Sequence, residues 1–154
     1  MPTDPCLPFI FVTRDAGPIL RAFGETVIMH LDSVATGGVL NLWTEITPPG
    51  GGPPPHHHER EDECLAVQEG RVAFFSEGEW REFGPGAVVF MPRKHIHAFK
   101  NVGETPSRML ISTTPGGFDK FFARCHEEFK TAAAPDMDRI LQISAEHGIH
   151  FVNT

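Results

Sequence analysis

Between residues 8 and 113, short segments rich in Val, Ile, Phe, Leu and Thr are interrupted by Gly and Pro every eight to twelve residues or so. This spacing is typical of an antiparallel sandwich or barrel, in which short strands are joined by turns. Glu77-Gly78 and Gly84-Pro85-Gly86 supply the turn residues that hairpins need. We therefore predict an all-β barrel over about residues 8–114, with strands at Pro8–Arg14, Glu25–Asp32, Gly37–Thr47, Glu63–Gln68, Arg71–Ser76, Ala87–Met91, His97–Val102 and Arg108–Thr113.

Helical spacing replaces this pattern after Pro115-Gly116-Gly117. One face of a first predicted helix carries Phe118, Phe121, Phe122, Cys125 and Phe129. Ala132–Pro135 would end this helix, and Asp136 is a suitable N-cap for a second one with a C-cap at Gly148. The apolar positions of the second helix are Ile140, Leu141 and Ile143. We expect this helical appendage, at about residues 117–148, to pack on the barrel.

The size and composition of the chain favour one domain. It has 154 residues and a hydrophobic content of 40%, which is enough for one core without disulfides or a structural metal. No internal repeat or low-complexity linker divides it, so a single domain over residues 1–154 is expected. The formal net charge of -7 opposes binding to a phosphate backbone, and nucleic acid is not an expected partner.

The cysteines and the N-terminal residues help to predict the cellular location of the protein. Cys6, Cys64 and Cys125 are widely separated and lack CxxC spacing, so they indicate neither a disulfide framework nor a thiolate zinc site. Met1–Pro5 has no basic region followed by an apolar run, and no segment approaches the roughly 18 apolar residues that span a bilayer. We expect a cytoplasmic protein with no membrane contact.

A rigid loop at residues 50–55, Gly-Gly-Gly-Pro-Pro-Pro, leads directly into His56-His57-His58. Alternate side chains share one face of an extended strand, and two steps of about 3.3 Å separate His56 and His58 by roughly 6.6 Å at the backbone. Two imidazoles at this distance can bind one metal ion, whereas His57 points the other way. The alternative is a solvated histidine loop with weak, unselective metal affinity.

An acidic cluster follows the histidines at Glu59, Glu61, Asp62 and Glu63. A carboxylate beside imidazoles suits one divalent transition metal, such as Fe, Mn, Ni, Co, Zn or Cu, and the sequence does not select among them. Strict strand alternation favours Asp62 as the ligand, because Asp62 shares parity with His56 and His58.

These residues resemble the two sequence motifs of the cupin superfamily. The first motif is Gly, five residues, His-x-His, three or four residues, Glu, six residues and Gly, and the chain supplies Gly50, His56, His58, Glu63 and Gly70. The second is Gly, five residues, Pro-x-Gly, two residues, His, three residues and Asn. It is matched by Gly86, Pro92, His97 and Asn101, while Lys94 stands where the family usually has Gly.

The resemblance implies a double-stranded β-helix, the jelly-roll barrel of cupins. It also implies that His56, His58, Glu63 and His97 bind the metal ion, so a bulge or turn between Glu59 and Asp62 must reset strand parity. A residue with a Cβ adopts the positive φ of the usual Gly at a cost of order 1 kcal/mol. The turn at Lys94 could therefore differ locally, which leaves His95 as the rival of His97.

The segment Gly52–Glu63 also resembles small single-domain cupins similar to quercetin 2,3-dioxygenase, as do Pro115–Phe118 and Ile140–Ile149. This implies a metal-dependent, dioxygenase-like oxidoreductase acting on a small aromatic or enolisable substrate, with Glu63 as ligand and catalytic base. Candidate pocket residues, unless they are ordinary core, are Phe74, Phe75, Phe90, Phe99 and Met109.

Two other functions stay open at the level of sequence. Cupins include non-catalytic proteins that hold a metal ion and a small ligand, because a fold does not fix a function. A metal-dependent isomerase or lyase is also possible, with Lys94 or His95 as the acid.

The first predicted strand indicates the oligomeric state of the protein. Phe9-Ile10-Phe11-Val12 would be apolar on both of its faces. Such a strand suits a sheet edge covered by another subunit, so a homodimer is expected.

Overall fold

The structure is a computed structural model that describes residues 6–131 and 134–153. In these ranges α1 is Phe118–Thr131 and α2 is Met137–Glu146. The strands are β1 Ile19–Ala22, β2 Glu25–Leu31, β3 Asn41–Thr47, β4 His56–His58, β5 Asp62–Glu69, β6 Val72–Ser76, β7 Glu79–Phe83, β8 Val88–Met91, β9 His97–Asn101, β10 Ser107–Thr114 and β11 Ile149–Phe151.

The strands form two antiparallel sheets. One has the order β1-β2-β3-β10-β5-β8 and the other has the order β11-β4-β9-β6-β7. The inward faces of both sheets contribute to one hydrophobic core, which includes Val27, Trp43, Leu65, Val72, Phe74, Phe99 and Ile111. The predicted all-β architecture with C-terminal helices is confirmed.

Strand β5 shows how alternation builds this interior. Glu63, Leu65 and Val67 are buried, whereas the residues between them are only partly buried. The register of β5 against β10 places Glu63 opposite Thr113 and Leu65 opposite Ile111. A polar Glu63 therefore occupies an inward position of the same strand face as the apolar core.

The two helices lie on the barrel as predicted. α1 packs against β1, and α2 packs against α1 and β11. The carboxylate of Asp136 accepts hydrogen bonds from the amides of Asp138 and Arg139, which confirms the N-cap. Residues 132–133, part of the predicted helix break, lie outside the described residues.

The end of α2 differs by one residue from the prediction. His147 is the C-cap, and Gly148 follows it with a φ of 71°, which is the position that favours glycine. Ile140 and Ile143 are buried, but Leu141 is 47% exposed.

The predicted strand at Pro8–Arg14 is wrong, because these residues form no strand in the structure. The edge of the sheet next to β2 is taken by β1 instead, which pairs Ile19 with Ile28. Phe9 and Phe11 are 95% and 93% exposed and stack on each other. An apolar run that lacks alternation therefore does not identify a strand here.

The sequence pattern does not predict the short strands β1, β7 and β11. All residues of β7 are exposed, so this strand has no buried positions to create an apolar pattern. β11 has only three residues, and its pairing with β4 joins segments far apart in the chain. Among the described residues, no helix is long and apolar enough to cross a membrane.

Candidate metal centre

Three buried histidines converge from neighbouring strands of one sheet. His56 in β4 pairs directly with His97 in β9, and His58 follows two residues along β4 on the same face. Glu63 reaches them from β5 of the other sheet. Each of these residues offers one ligand atom, and the four atoms lie within 4.8 Å of one another.

These separations are close to those of a metal site. Bonds of about 2.1 Å place two ligands of one ion no more than about 4.2 Å apart. Small side-chain movements would therefore bring the nitrogen and carboxylate donors of His56, His58, Glu63 and His97 to bonding distance. The cluster could hold one metal ion and leave further coordination positions open.

The change of strand face before Glu63 is achieved by a bend. β4 ends at His58, the chain bends at residues 59–60, and β5 begins at Asp62. This confirms the turn that the family resemblance requires. Asp62, which strict alternation favours, instead faces outward and forms an ion pair of 3.0 Å with Arg93, whose hydrogen bonds lower the pKa of Asp62 to about 2.

Each of the three imidazoles is oriented through its Nδ1 atom. The Nδ1–H of His56 donates to the carbonyl of Pro54 at 2.9 Å, and that of His97 donates to the carbonyl of His95 at 3.0 Å. The Nδ1–H of His58 donates to a carboxylate oxygen of Glu61 at 3.3 Å. These acceptors leave the Nε2 lone pairs for the centre, which is the arrangement that metal-binding histidines need.

The charges within the cluster favour an ionised carboxylate. Burial opposes ionisation of Glu63, yet the neighbouring imidazoles, led by His58, lower its pKa to about 2. Burial and the neighbouring His97 and His58 lower the pKa of His56 to about 3. A deprotonated Glu63 beside a neutral His56 is the protonation state that a cation requires.

The turn of the second motif keeps its usual shape despite Lys94. Lys94 has a φ of 69°, in the left-handed region where glycine is favoured. This turn leaves His95 exposed and directs His97 into the buried cluster. The structure thus places His97, and not its rival His95, beside Glu63.

The loop before His56 is fixed by its contacts with β9. A Cβ on Gly52, which has a φ of 138°, would lie 2.1 Å from the carbonyl oxygen of Phe99, so only glycine fits. Asn101 is fully buried, and its amide group donates to the carbonyls of Thr47 and Thr105. Gly52 and the motif residue Asn101 therefore position the loop, while the histidines and Glu63 form the cluster.

A cavity of about 300 Å³ borders the cluster. Its walls are mostly apolar and include Phe23, Trp43, Leu65, Phe99, Phe118 and Phe122. Phe118 stacks on Trp43, with ring centroids 4.8 Å apart, and on His58, with ring centroids 5.8 Å apart. Helix α1 therefore closes the barrel on the side where His56, His58 and Glu63 face the cavity.

The prediction of the pocket walls is largely wrong. Of the five candidates only Phe99 lines this cavity. Met109 is buried in the core, while Phe74, Phe75 and Phe90 line a second depression that also contains Lys94, His95 and His97. Lys94 and His95 are thus not placed at the wall of the apolar cavity.

Three carboxyl groups have roles that the sequence does not predict. Glu61 orients His58, and Glu25 and Glu45 line the cavity from β2 and β3. Both strand residues share parity with buried apolar neighbours such as Val27 and Trp43. A glutamate at an inward strand position is the signal that could have identified them.

Comparison with known proteins identifies one domain of the chain. A family model described as "Cupin domain" matches residues 43–113. No curated protein matches.

Solved structures with the same fold include a polyketide cyclase, RemF, from Streptomyces resistomycificus. It is 26% identical with a TM-score of 0.60, and the match covers 70% of this chain and 80% of that one. A predicted oxalate decarboxylase from Thermotoga maritima is 23% identical, with a TM-score of 0.57 and coverage of 59% and 80%. An RmlC-like cupin from Shewanella frigidimarina is 17% identical, with a TM-score of 0.61 and coverage of 73% and 96%. Residues 43–113 therefore form a cupin domain, and the chain has the fold of cupin proteins.

Proposed function

We propose that the protein is a metal-dependent, dioxygenase-like oxidoreductase that acts on a small aromatic or enolisable substrate. The observation that carries this proposal is the contact between the His56, His58, Glu63 and His97 cluster and an apolar cavity of about 300 Å³. A bound divalent transition ion would supply a Lewis acid and, if redox-active, a route for electrons to dioxygen.

The residues of the chain would orient the substrate and exclude water. Phe99, Phe118 and Trp43 offer aromatic faces against which a planar ring can pack. Glu63 would be both a ligand and the base that takes a proton from a substrate hydroxyl. This second role requires its carboxylate to swing from His97, which it contacts at 3.0 Å, toward the cavity that it lines.

A non-oxidative reaction is the second candidate. The polyketide cyclase RemF is 26% identical to this chain over 70% of its length. The buried carboxyls of Glu25 and Glu45 in the cavity are acid–base groups that such a reaction could use without dioxygen. A metal-dependent isomerase, lyase or cyclase would therefore use the same site.

The expected partners are a small-molecule substrate and a second copy of the chain. The exposed pair Phe9 and Phe11 would be covered in a homodimer. We place the protein in the cytoplasm, as its three free cysteines favour.

Oxygen uptake tests the leading function. The protein would be loaded separately with Fe²⁺, Mn²⁺, Ni²⁺, Co²⁺, Cu²⁺ and Zn²⁺ and supplied with flavonols, catechols and 1,3-diketones. We expect at least one redox-active ion to support dioxygen consumption coupled to product formation. Glu63→Gln should abolish this activity, and the matched variant Asp62→Asn should keep it.

Each other outcome selects a different function. No oxygen uptake at full metal occupancy would contradict the dioxygenase. Turnover without dioxygen would favour the isomerase, lyase or cyclase, whereas tight ligand binding without any product would favour a non-catalytic cupin.

A further inference from the structure

Two buried glutamates that are not part of the metal cluster line the same cavity. Glu25 and Glu45 are each only 5% exposed. They lie on the inward faces of β2 and β3, where Val27 stands opposite Glu45. Glu25 is two residues from Val27 on the same face, so the two carboxyls are diagonal neighbours across the strand pair.

The two carboxyls have unequal hydrogen bonding. The indole Nε1–H of Trp43 donates to Glu45 at 2.9 Å. In contrast, Oε1 of Glu25 is buried and has no hydrogen-bond partner among the described residues. An unpaired buried oxygen is costly, and buried polar groups in folded proteins almost always have a partner.

The surroundings keep a proton on the pair. Burial raises the pKa of Glu25 well above its usual range, and the charge of Glu45 raises it further. Burial also raises the pKa of Glu45. One carboxyl therefore stays protonated at pH values where an exposed glutamate has lost its proton, and the pair can both donate and accept hydrogen bonds.

A purely structural role explains this arrangement poorly. Apolar residues of similar size would fill the two positions without burying charge or leaving Glu25 Oε1 unpaired. The carboxyl of Glu45 and the hydroxyl of Thr47 lie close to Glu25, and the walls of the cavity are otherwise mostly apolar. Any further partner for the Glu25 carboxyl must therefore come from whatever occupies the cavity.

We propose that Glu25 and Glu45 form a hydroxyl-recognition subsite of the cavity, in which the O–H of a bound molecule donates to the carboxyl oxygen of Glu25 that faces the cavity. The proposal rests on the proposed function and adds a substrate class to it. The substrate is an apolar, largely aromatic molecule with a phenolic or alcoholic hydroxyl that meets the Glu25 and Glu45 pair.

The affinity of Zn²⁺-loaded protein for small naphthalenes tests this subsite. 2-Naphthol can donate a hydrogen bond, whereas 2-methoxynaphthalene cannot. Calorimetry should show that the wild type binds 2-naphthol about tenfold more tightly, the usual effect of one buried hydrogen bond. Glu25→Leu should remove this preference, and Glu25→Gln, whose carbonyl still accepts, should keep most of it.

Control variants separate this proposal from protein folding and from the metal centre. The exposed variant Glu104→Leu should behave as the wild type, and all variants should retain the Zn²⁺ stoichiometry of the wild type. If Glu25→Leu does not fold, Glu45→Gln can replace it in the test. This variant weakens the carboxylate that accepts the hydrogen bond of Trp43, and it should lower the preference for 2-naphthol over 2-methoxynaphthalene.

Three results would overturn the subsite. They are equal binding of the two compounds by the wild type, an unchanged preference in Glu25→Leu, and tighter binding of 1-naphthylmethylammonium than of 2-naphthol, which would identify a cation site. A protein that prefers 2-naphthol but binds no metal ion would retain the subsite and contradict the proposed function.

Discussion

The amide of Lys94 donates a hydrogen bond of 2.6 Å to the carbonyl oxygen of His58. This contact links the turn of the second motif to the strand that carries the histidines of the first. Because the turn requires a positive φ at Lys94, the contact is made by a residue whose Cβ disfavours that conformation. The geometry of the candidate metal centre is thus held by a turn that carries local backbone strain.

Replacement of Lys94 by glycine should stabilise the protein. Relief of a left-handed conformation is worth about 1–2 kcal/mol, and the greater flexibility of unfolded glycine offsets about 0.5–1 kcal/mol of this. We expect Lys94→Gly to raise the free energy of unfolding by roughly 0.5–1 kcal/mol in urea denaturation. Lys94→Ala keeps the Cβ and should give no gain, so equal stabilisation by both variants would contradict the role of backbone strain.

Pairs of neighbouring variants should separate ligands from non-ligands. His97→Ala removes a donor from the buried cluster, whereas His95→Ala removes an exposed side chain. We expect the first to lose tight binding of one metal ion per chain and the second to retain it, as measured by elemental analysis after dialysis. Retained stoichiometry in His97→Ala, or its loss in His95→Ala, would show that the structure places the wrong histidine in the site.

Glu61 should tune the metal affinity without binding the metal itself. Its carboxylate accepts the Nδ1–H of His58, and loss of such a partner usually weakens metal binding about 10- to 100-fold. Competition with a chelator should show this loss in Glu61→Ala. Glu59→Ala, which removes only an exposed carboxylate paired with His150, is the matched control and should bind as the wild type does. Equal affinities for the two variants would mean that Glu61 does not orient His58.

The buried carboxyl pair should make stability depend on pH. The pKa of Glu25 is higher in the folded protein than in the unfolded chain. Between these two pKa values the folded protein binds more protons than the unfolded chain. The free energy of unfolding therefore falls as pH rises through this range. Glu25→Gln cannot ionise, and its stability relative to the wild type should therefore increase from pH 4 to pH 8. Urea denaturation in the presence of EDTA would measure this trend. For the exposed control Glu104→Gln we expect a difference in unfolding free energy from the wild type that does not change with pH. The same constant difference in Glu25→Gln would contradict the raised pKa of Glu25.

Local patterns allowed part of the site to be predicted from sequence. His56 and His58 follow from strand alternation alone, because both lie in β4 and face inward. Glu63 does not follow from alternation, since the bend at residues 59–60 reverses parity, and only the spacing of the family motif selects it. The fold was predictable because Gly and Pro punctuate the strands and because the Phe residues of α1 recur at helical spacing.

The residues that line the cavity could not be predicted from the sequence, for a physical reason. Its walls bring together β2, β3, β9 and both helices, and no local pattern reports which inward residues face the cavity and which fill the core. Phe74 and Phe99 are both inward-facing and buried, yet only Phe99 lines the cavity. The pairing of Glu25 with Glu45 likewise depends on the register between two strands.

A crystal structure of the metal-loaded protein, with diffraction data collected on both sides of the absorption edge of the ion, tests the central claim most directly. The account predicts one anomalous peak per chain, bonded at about 2.0–2.2 Å to the Nε2 atoms of the three buried histidines, His56, His58 and His97, and to Glu63. At least one coordination position should open to the apolar cavity. A peak bound by His95 or Asp62, or no peak among the four residues at full metal loading, would contradict the account.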